Sequence, residues 1–246
     1  MRTRAVLAFV SVVAVSGLAA GEDLVQLAPL HVIPTENQSA QPIAADDPAR
    51  VRLSSTNPQA LAEVLGVSLA ANQATFEYVI DQYPQLRSAG TRTWLEPTFV
   101  IDFTEPEFEP LRKELEARAT KPTRQQLVEY VASLIEASDE RDWDLASVVA
   151  HRRKGDCSEH AVLTAALARL LGIPARVVVG VALVSDEKNH GAFGHAWAEI
   201  FEDGKWKVAD AALLGQQGAV RYLPVGLIED EGMGYAMGLI GLLQIW

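Results

Sequence analysis

The sequence predicts an α+β domain in which a buried helix packs on an antiparallel sheet. Three stretches point to it. Residues 161–171 are apolar at almost every position, the pattern of a helix covered on nearly all sides. Residues 175–184 are Val-rich and read as a buried strand. Residues 195–202 then alternate, Asp203-Gly204 is a two-residue hairpin signal, and residues 205–210 return as the partner strand.

Composition narrows the function classes. The chain has 246 residues, 49% hydrophobic and 22% charged, which are globular values. Its 21 Lys and Arg against 32 Asp and Glu leave a net charge of -11. That sign disfavours nucleic acid and anionic membrane surfaces as partners. With one cysteine the chain can form no internal disulfide and no Cys-rich zinc module.

The N-terminus reads as an address. Arg2 and Arg4 precede an apolar run over 5–20, and Ala19, Ala20 and Gly21 are small. This is the pattern of a cleaved secretory signal peptide over 1–21. The run is shorter than the roughly 20 residues a membrane-spanning helix needs. The expectation is a secreted or periplasmic protein with no stable membrane span once matured.

Along the rest of the chain, residues 22–57 lack apolar periodicity and read as an extended or disordered leader. A helical extension over 58–121 should open at Asn57-Pro58, an N-cap with proline in the first turn, and its first helix should stop at Gly66. Residues 98–103 suggest a short strand between prolines, and 107–119 a charged helix. Thr123 and Gln126 have capping-box spacing, and Leu127, Tyr130, Val131, Leu134 and Ile135 follow on one helical face. Residues 143–151 read as a short helix capped by Asp142 or Asp144, and 185–194 as a polar loop. Residues 221–223 read as a last strand, closing a domain over 122–223. The apolar segment 224–246 is expected to pack on that domain, with a helix within 232–246.

The chemistry concentrates in 155–210. Asp156 and Glu159 form a capping box that puts Cys157 at the first helical position. The free N–H groups and dipole of a helix start favour a thiolate there. If Glu202 pairs with Lys205 across the hairpin, Asp210 falls opposite Trp197, and His195, Trp197 and Asp210 share a face. An imidazole beside the thiol can take its proton, and a carboxylate behind the imidazole fixes its tautomer. Glu199 on the same strand is the alternative acid. Glu159 is read as the capping acid and His160 as a core residue. Trp197 and Trp206 are read as core and cleft wall. Trp197 and His190, the latter in the expected loop, are the candidates for substrate contact. The His and Cys positions show no metal-ligand spacing, and no glycine-rich phosphate loop follows a strand, so no metal or cofactor is expected.

The segments GDCSEHA, GIPARVVVG, GHAWAEI and the W-x-V-x-D of 206–210 resemble the transglutaminase-like domain of bacterial proteins, within the papain-like cysteine enzymes. The resemblance covers 143–212 in detail. It implies Cys157 as nucleophile, His195 as base and Asp210 as the residue orienting it. The family often has Asp-Pro-Thr where this chain has Asp210-Ala211-Ala212, which puts the turn after the acid in question. The resemblance implies a thiol enzyme acting on amide or peptide bonds of a peptide or protein substrate and does not fix the reaction; hydrolysis is the reading taken, because nothing in the sequence marks a calcium- or amine-binding apparatus. The alternatives are a glutamine acyltransferase or a non-catalytic peptide-binding scaffold. Oligomeric state is not legible.

Overall fold

The computed structural model describes residues 32–33, 49–55, 57–80, 82–86, 94–119, 121–138, 144–185, 190–215, 219–228 and 243–245. The expected signal peptide, Asp142, and most of the segment between 224 and 246 lie outside them.

Helix α5, Cys157–Leu170, is the centre of the molecule. Residues 158–169 are all buried, the largely apolar stretch from 161 together with polar Ser158, Glu159, His160, Thr164 and Arg169. Its start carries the expected capping box, with Asp156 accepting from Ser158 N at 2.7 Å and Glu159 accepting from Asp156 N at 2.8 Å. Gly172 follows at φ +73°, the left-handed backbone that ends a helix and that glycine adopts without a steric penalty. Around α5 pack α3, Arg124–Leu134, and α4, Ala146–Arg152. The Thr123–Gln126 capping box opens α3 as expected. The α4 start has no side-chain cap. Asp144 pairs instead with Arg152 at 2.6 Å.

Beneath α5 lies a five-stranded antiparallel sheet. Strand β6, Ala175–Ser185, lies between β7, His190–Glu202, and β9, Ala219–Ile228. The far edge of β7 is shared end to end by β1, Val32–Ile33, and β8, Lys205–Ala209. The 185–194 segment expected as a loop is largely strand, because pairing of β6 with β7 continues to Ser185–His190. β9 runs to Ile228 and crosses the expected boundary at 223. The Asp203-Gly204 turn takes φ +53° and +76°, the mirror-image turn whose twist suits a hairpin. It sets Glu202 opposite Lys205 as the spacing required.

A smaller antiparallel sheet orders β10, Leu243–Ile245, then β2, Ala49–Ser55, then β3, Thr75–Ile80. Two expectations change here. Within the expected leader, β2 is paired on both edges and carries fully buried Leu53, so order starts before Asn57. The described part of the expected C-terminal helix is a strand. Short apolar runs carry no signal that separates a helix from a strand paired far away in sequence. Helices α1, Pro58–Val64, and α2, Phe108–Arg118, form as read, with Asn57 capping α1. Residues 98–103 form a turn, not a strand. Thr98 N donates to the Ile101 carbonyl, and Phe99 is 73% exposed.

One apolar core runs from Val51 and Leu53 through Phe108 and α5 to Val225, so the N-terminal extension and the helix-on-sheet unit pack together. Leu53→Ala should therefore lower stability by about 2–5 kcal/mol through a buried cavity, measured by urea unfolding. A leader independent of the fold would give no change.

Candidate active site

Cys157 is the first residue of α5 and is half-buried. It lies close enough to His195 to help raise the pKa of the imidazole. On the other side of the imidazole, His195 Nε2 donates to Asp210 Oδ2 at 2.7 Å, which leaves Nδ1 as the ring nitrogen for the thiol. His195 and the Asp210 carboxylate are both nearly buried, at 7% and 5% side-chain exposure. The three residues that the motifs single out are thus brought together, one from a helix start and two from a hairpin.

Asp210 follows β8 and is turned back by its own backbone. Its Oδ1 accepts from Ala212 N at 3.0 Å and Leu213 N at 3.2 Å. Those amides belong to the second and third residues after the acid. The turn therefore does not depend on proline at position 211, and Ala211-Ala212 serves. Its Oδ2 accepts from His195 and also from Tyr222 Oη at 2.8 Å. Burial opposes ionisation of Asp210, but the hydrogen bond and charge of His195, with Tyr222 and Leu213 N, hold it below the usual carboxylate range. For His195, burial alone would lower the pKa. The hydrogen bonds and negative charges of Asp210 and Cys157 outweigh it and raise His195 to about 10.

Two further ionisable groups lie in the first turn of α5. Glu159 is 1% exposed and is wedged against Gly155, where a Cβ would lie 2.3 Å from the Glu159 Cβ. Glycine is needed there for close approach. Burial, together with neighbouring Asp156, pushes Glu159 up to about 7. His160 is buried, and its Nδ1 lies 2.6 Å from the Asp156 carbonyl. Burial lowers its pKa, while Asp210 and Asp156 pull the other way. It is a core residue as read, but one within electrostatic reach of Asp210 and His195.

Trp197 is fully buried, which corrects its reading as a substrate contact. It stacks at 6.0 Å on His195 and lies 5.1 Å from Tyr222, and its Nε1 donates to Tyr83 Oη at 2.9 Å. Gly180 makes room for it, since a Cβ there would lie 2.6 Å from the indole. The side chain of His190 lies outside the described residues. Glu199 serves no imidazole. It accepts from Arg176 Nε and Tyr83 Oη, and Arg176 and Glu199 are both fully buried. Arg176 stacks on Trp206 at 4.1 Å. The sequence carried a signal for this pair, because an Arg inside a Val-rich buried strand needs a counter-charge. Tyr83 and Tyr222 carried none, since each reaches the site from a segment whose placement sequence does not give. Among the described residues no cluster of three or more His, Cys, Asp or Glu is placed to hold a metal, and no helix is long and apolar enough to cross a membrane.

Two outcomes follow from these buried charges. Arg176→Met should cost about 3–5 kcal/mol by stranding Glu199, and Arg176→Met with Glu199→Leu should recover most of it, both read by urea denaturation. The raised pKa of His195 means its stabilisation is complete below about pH 6.5 and is lost as pH rises through about 10. The melting temperature should therefore fall across that window, and His195→Gln should flatten the fall.

Residues 111–211 match the family profile of the transglutaminase-like superfamily. No curated protein matches the chain. Among solved structures, a candidate cysteine protease from Cytophaga hutchinsonii aligns at 16% identity over 88% of this chain and 78% of that one, with a TM-score of 0.46. A TGase aligns at 25% identity over 46% of this chain and 32% of its own, with a TM-score of 0.35. The periplasmic domain of TgpA from Pseudomonas aeruginosa aligns at 24% identity over 42% of each chain, with a TM-score of 0.32. This chain thus spans less than half of the last two. The profile match begins within α2 and ends one residue past Asp210, so the part of the chain that is similar to the transglutaminase-like superfamily takes in α5, β6, β7 and the hairpin.

Proposed function

We propose that this protein is an exported thiol hydrolase of amide or peptide bonds. The observation that carries the reading is His195 engaged by Asp210 on one side and by Cys157, at a helix start, on the other. In this reading the Cys157 sulfur attacks the amide carbonyl. The N–H of Cys157 faces the developing oxyanion from the first turn of α5. His195, held as imidazolium by Asp210, gives its proton to the leaving amine as the tetrahedral intermediate collapses to a thioester. A water molecule then attacks the thioester with His195 as base, releasing the acid and restoring the thiol. An amine in place of that water would make the product a cross-link. The N-terminal pattern over 1–21 supports export to the periplasm or medium.

The decisive experiment is labelling with a thiol-directed probe, with Cys157→Ala as control, followed by turnover of a panel of peptide amides. Cys157→Ala should abolish both. Asp210→Asn should keep the fold and lower turnover roughly 10²–10⁴-fold by removing the partner of the imidazolium. Turnover should decline as pH approaches about 10, where His195 loses the proton it must donate. Incorporation of a fluorescent amine into a peptide, in place of release of the free acid, reassigns the acceptor. A folded protein whose Cys157 does not label removes the enzyme reading altogether.

A further inference from the structure

Strand β9 contributes a side chain that the Cys-His-Asp reading does not use. Asp210 Oδ2 accepts two hydrogen bonds, from His195 Nε2 at 2.7 Å and from Tyr222 Oη at 2.8 Å. We propose that Tyr222 is a positioning residue for this site, its phenol fixing the Asp210 oxygen that faces His195 and keeping that carboxylate charged. The inference rests on the reading of Cys157, His195 and Asp210 as the reacting group.

The geometry of the carboxylate makes the case. The two backbone amides, Ala212 N and Leu213 N, both bind Oδ1. They hold one oxygen and leave the group able to pivot about that end. A second fixed oxygen sets the plane, and Tyr222 supplies a neutral donor there beside His195 Nε2, whose ring changes charge as Nδ1 gains and loses its proton. The phenol is itself anchored. Its ring lies 6.3 Å from His195 and 5.1 Å from Trp197, and Trp197 stacks on His195 at 6.0 Å, so the three rings enclose the hydrogen bond. Register places it there. Gly180 of β6 pairs with His195 on one side, and Ala182 pairs with Tyr222 on the other. Residues 219–224 pair one for one with 180–185, and the irregularity in β9 is confined to the far side of Gly180.

The chemistry agrees. Burial, with the Asp210 charge and hydrogen bond, pushes Tyr222 ionisation far above its ordinary value, so the phenol stays a donor at every working pH. The groups that reach Asp210 electrostatically are His195 on β7, Tyr222 on β9 and His160 on α5. Of these, His160 is driven toward neutrality by its burial. Tyr222 is the neutral donor that favours the ionised carboxylate without competing for the imidazole proton. Removing it lets Asp210 hold a proton to higher pH, and a protonated Asp210 no longer supports the imidazolium.

The test is the pH profile of Cys157 alkylation by iodoacetamide in the full chain. In Tyr222→Phe the acid limb should move up by about one pH unit, slowing alkylation about tenfold on the acid side. A ring-fluorinated tyrosine at 222, a stronger donor of nearly the same shape, should move the limb down. Tyr130→Phe is the structural control, since Tyr130 also donates to a carboxylate, that of Glu114 at 2.7 Å, away from the site. It should leave the profile in place. A profile that Tyr222→Phe and the fluorinated residue leave unmoved, in a protein whose alkylation depends on His195, overturns this inference alone. An equal shift in Tyr130→Phe overturns it as well. A wild type whose Cys157 does not alkylate overturns both this inference and the enzyme reading on which it rests.

Discussion

The burial of α5 on every side fixes where the thiol can be. Residues 158–169 have no solvent face, so a rotation of the helix by one residue, about 100°, would strip apolar contacts without gaining hydration. The helix cannot slide either. Its first turn is closed by the Asp156–Glu159 box, and Glu159 sits against Gly155 with no room for a side chain between them. Cys157 inherits its position from these constraints. The imidazole is placed by a different one, the register of β7 against β8, in which a slip of one residue would turn His195 or Asp210 away. Two rigid and independently specified frames meet where the thiol faces the imidazole, which is how a short side chain is held to the accuracy that proton transfer demands.

The two carboxylates on this hairpin show how environment divides one chemistry into two roles. Both are buried. Asp210 accepts from four donors, and His195 above all holds it below the usual carboxylate range. Glu199 is raised by burial, against the pull of Arg176 and Tyr83. One is spent on the imidazole. The other joins β6 and β7 to Tyr83, and through it to Trp197 beneath the imidazole. A buried ion pair of this kind is weak evidence for stability. Here its visible consequence is that Trp197, on which His195 stacks, has both its ring and its N–H constrained.

Much of the site was legible because local rules determined it. The capping boxes at Thr123 and Asp156, the stop at Gly172 and the Asp-Gly hairpin each depend on a few adjacent residues, and all formed as read. The pairing of Asp210 with His195 followed from that hairpin by counting. What escaped was non-local. Tyr83 lies 114 residues from Trp197 and 116 from Glu199 in sequence, and no periodicity announces such a meeting. β2 was read as leader because its alternation is short and its partners are distant. Trp197 is core, as read, but its second reading as a substrate contact failed for a related reason. Alternation gives the face of a strand, but it does not say whether another segment covers that face, as Leu86 and Tyr83 do here.

The smaller sheet joins residues 243–245 to residues 53–55. Closing so long a loop is slow, because the entropy of bringing distant segments together must be lost before the pairing repays it. A chain emerging from the ribosomal exit channel can form the α5 helix and the β7–β8 hairpin while still tethered. The β2 edge must wait until residue 245 has cleared the channel. Until then β2 has β3 as its one available neighbour in that sheet, and the open edge is a template for any other extended chain. The strand that completes the small sheet covers the β2 edge and becomes an outer strand of the sheet itself.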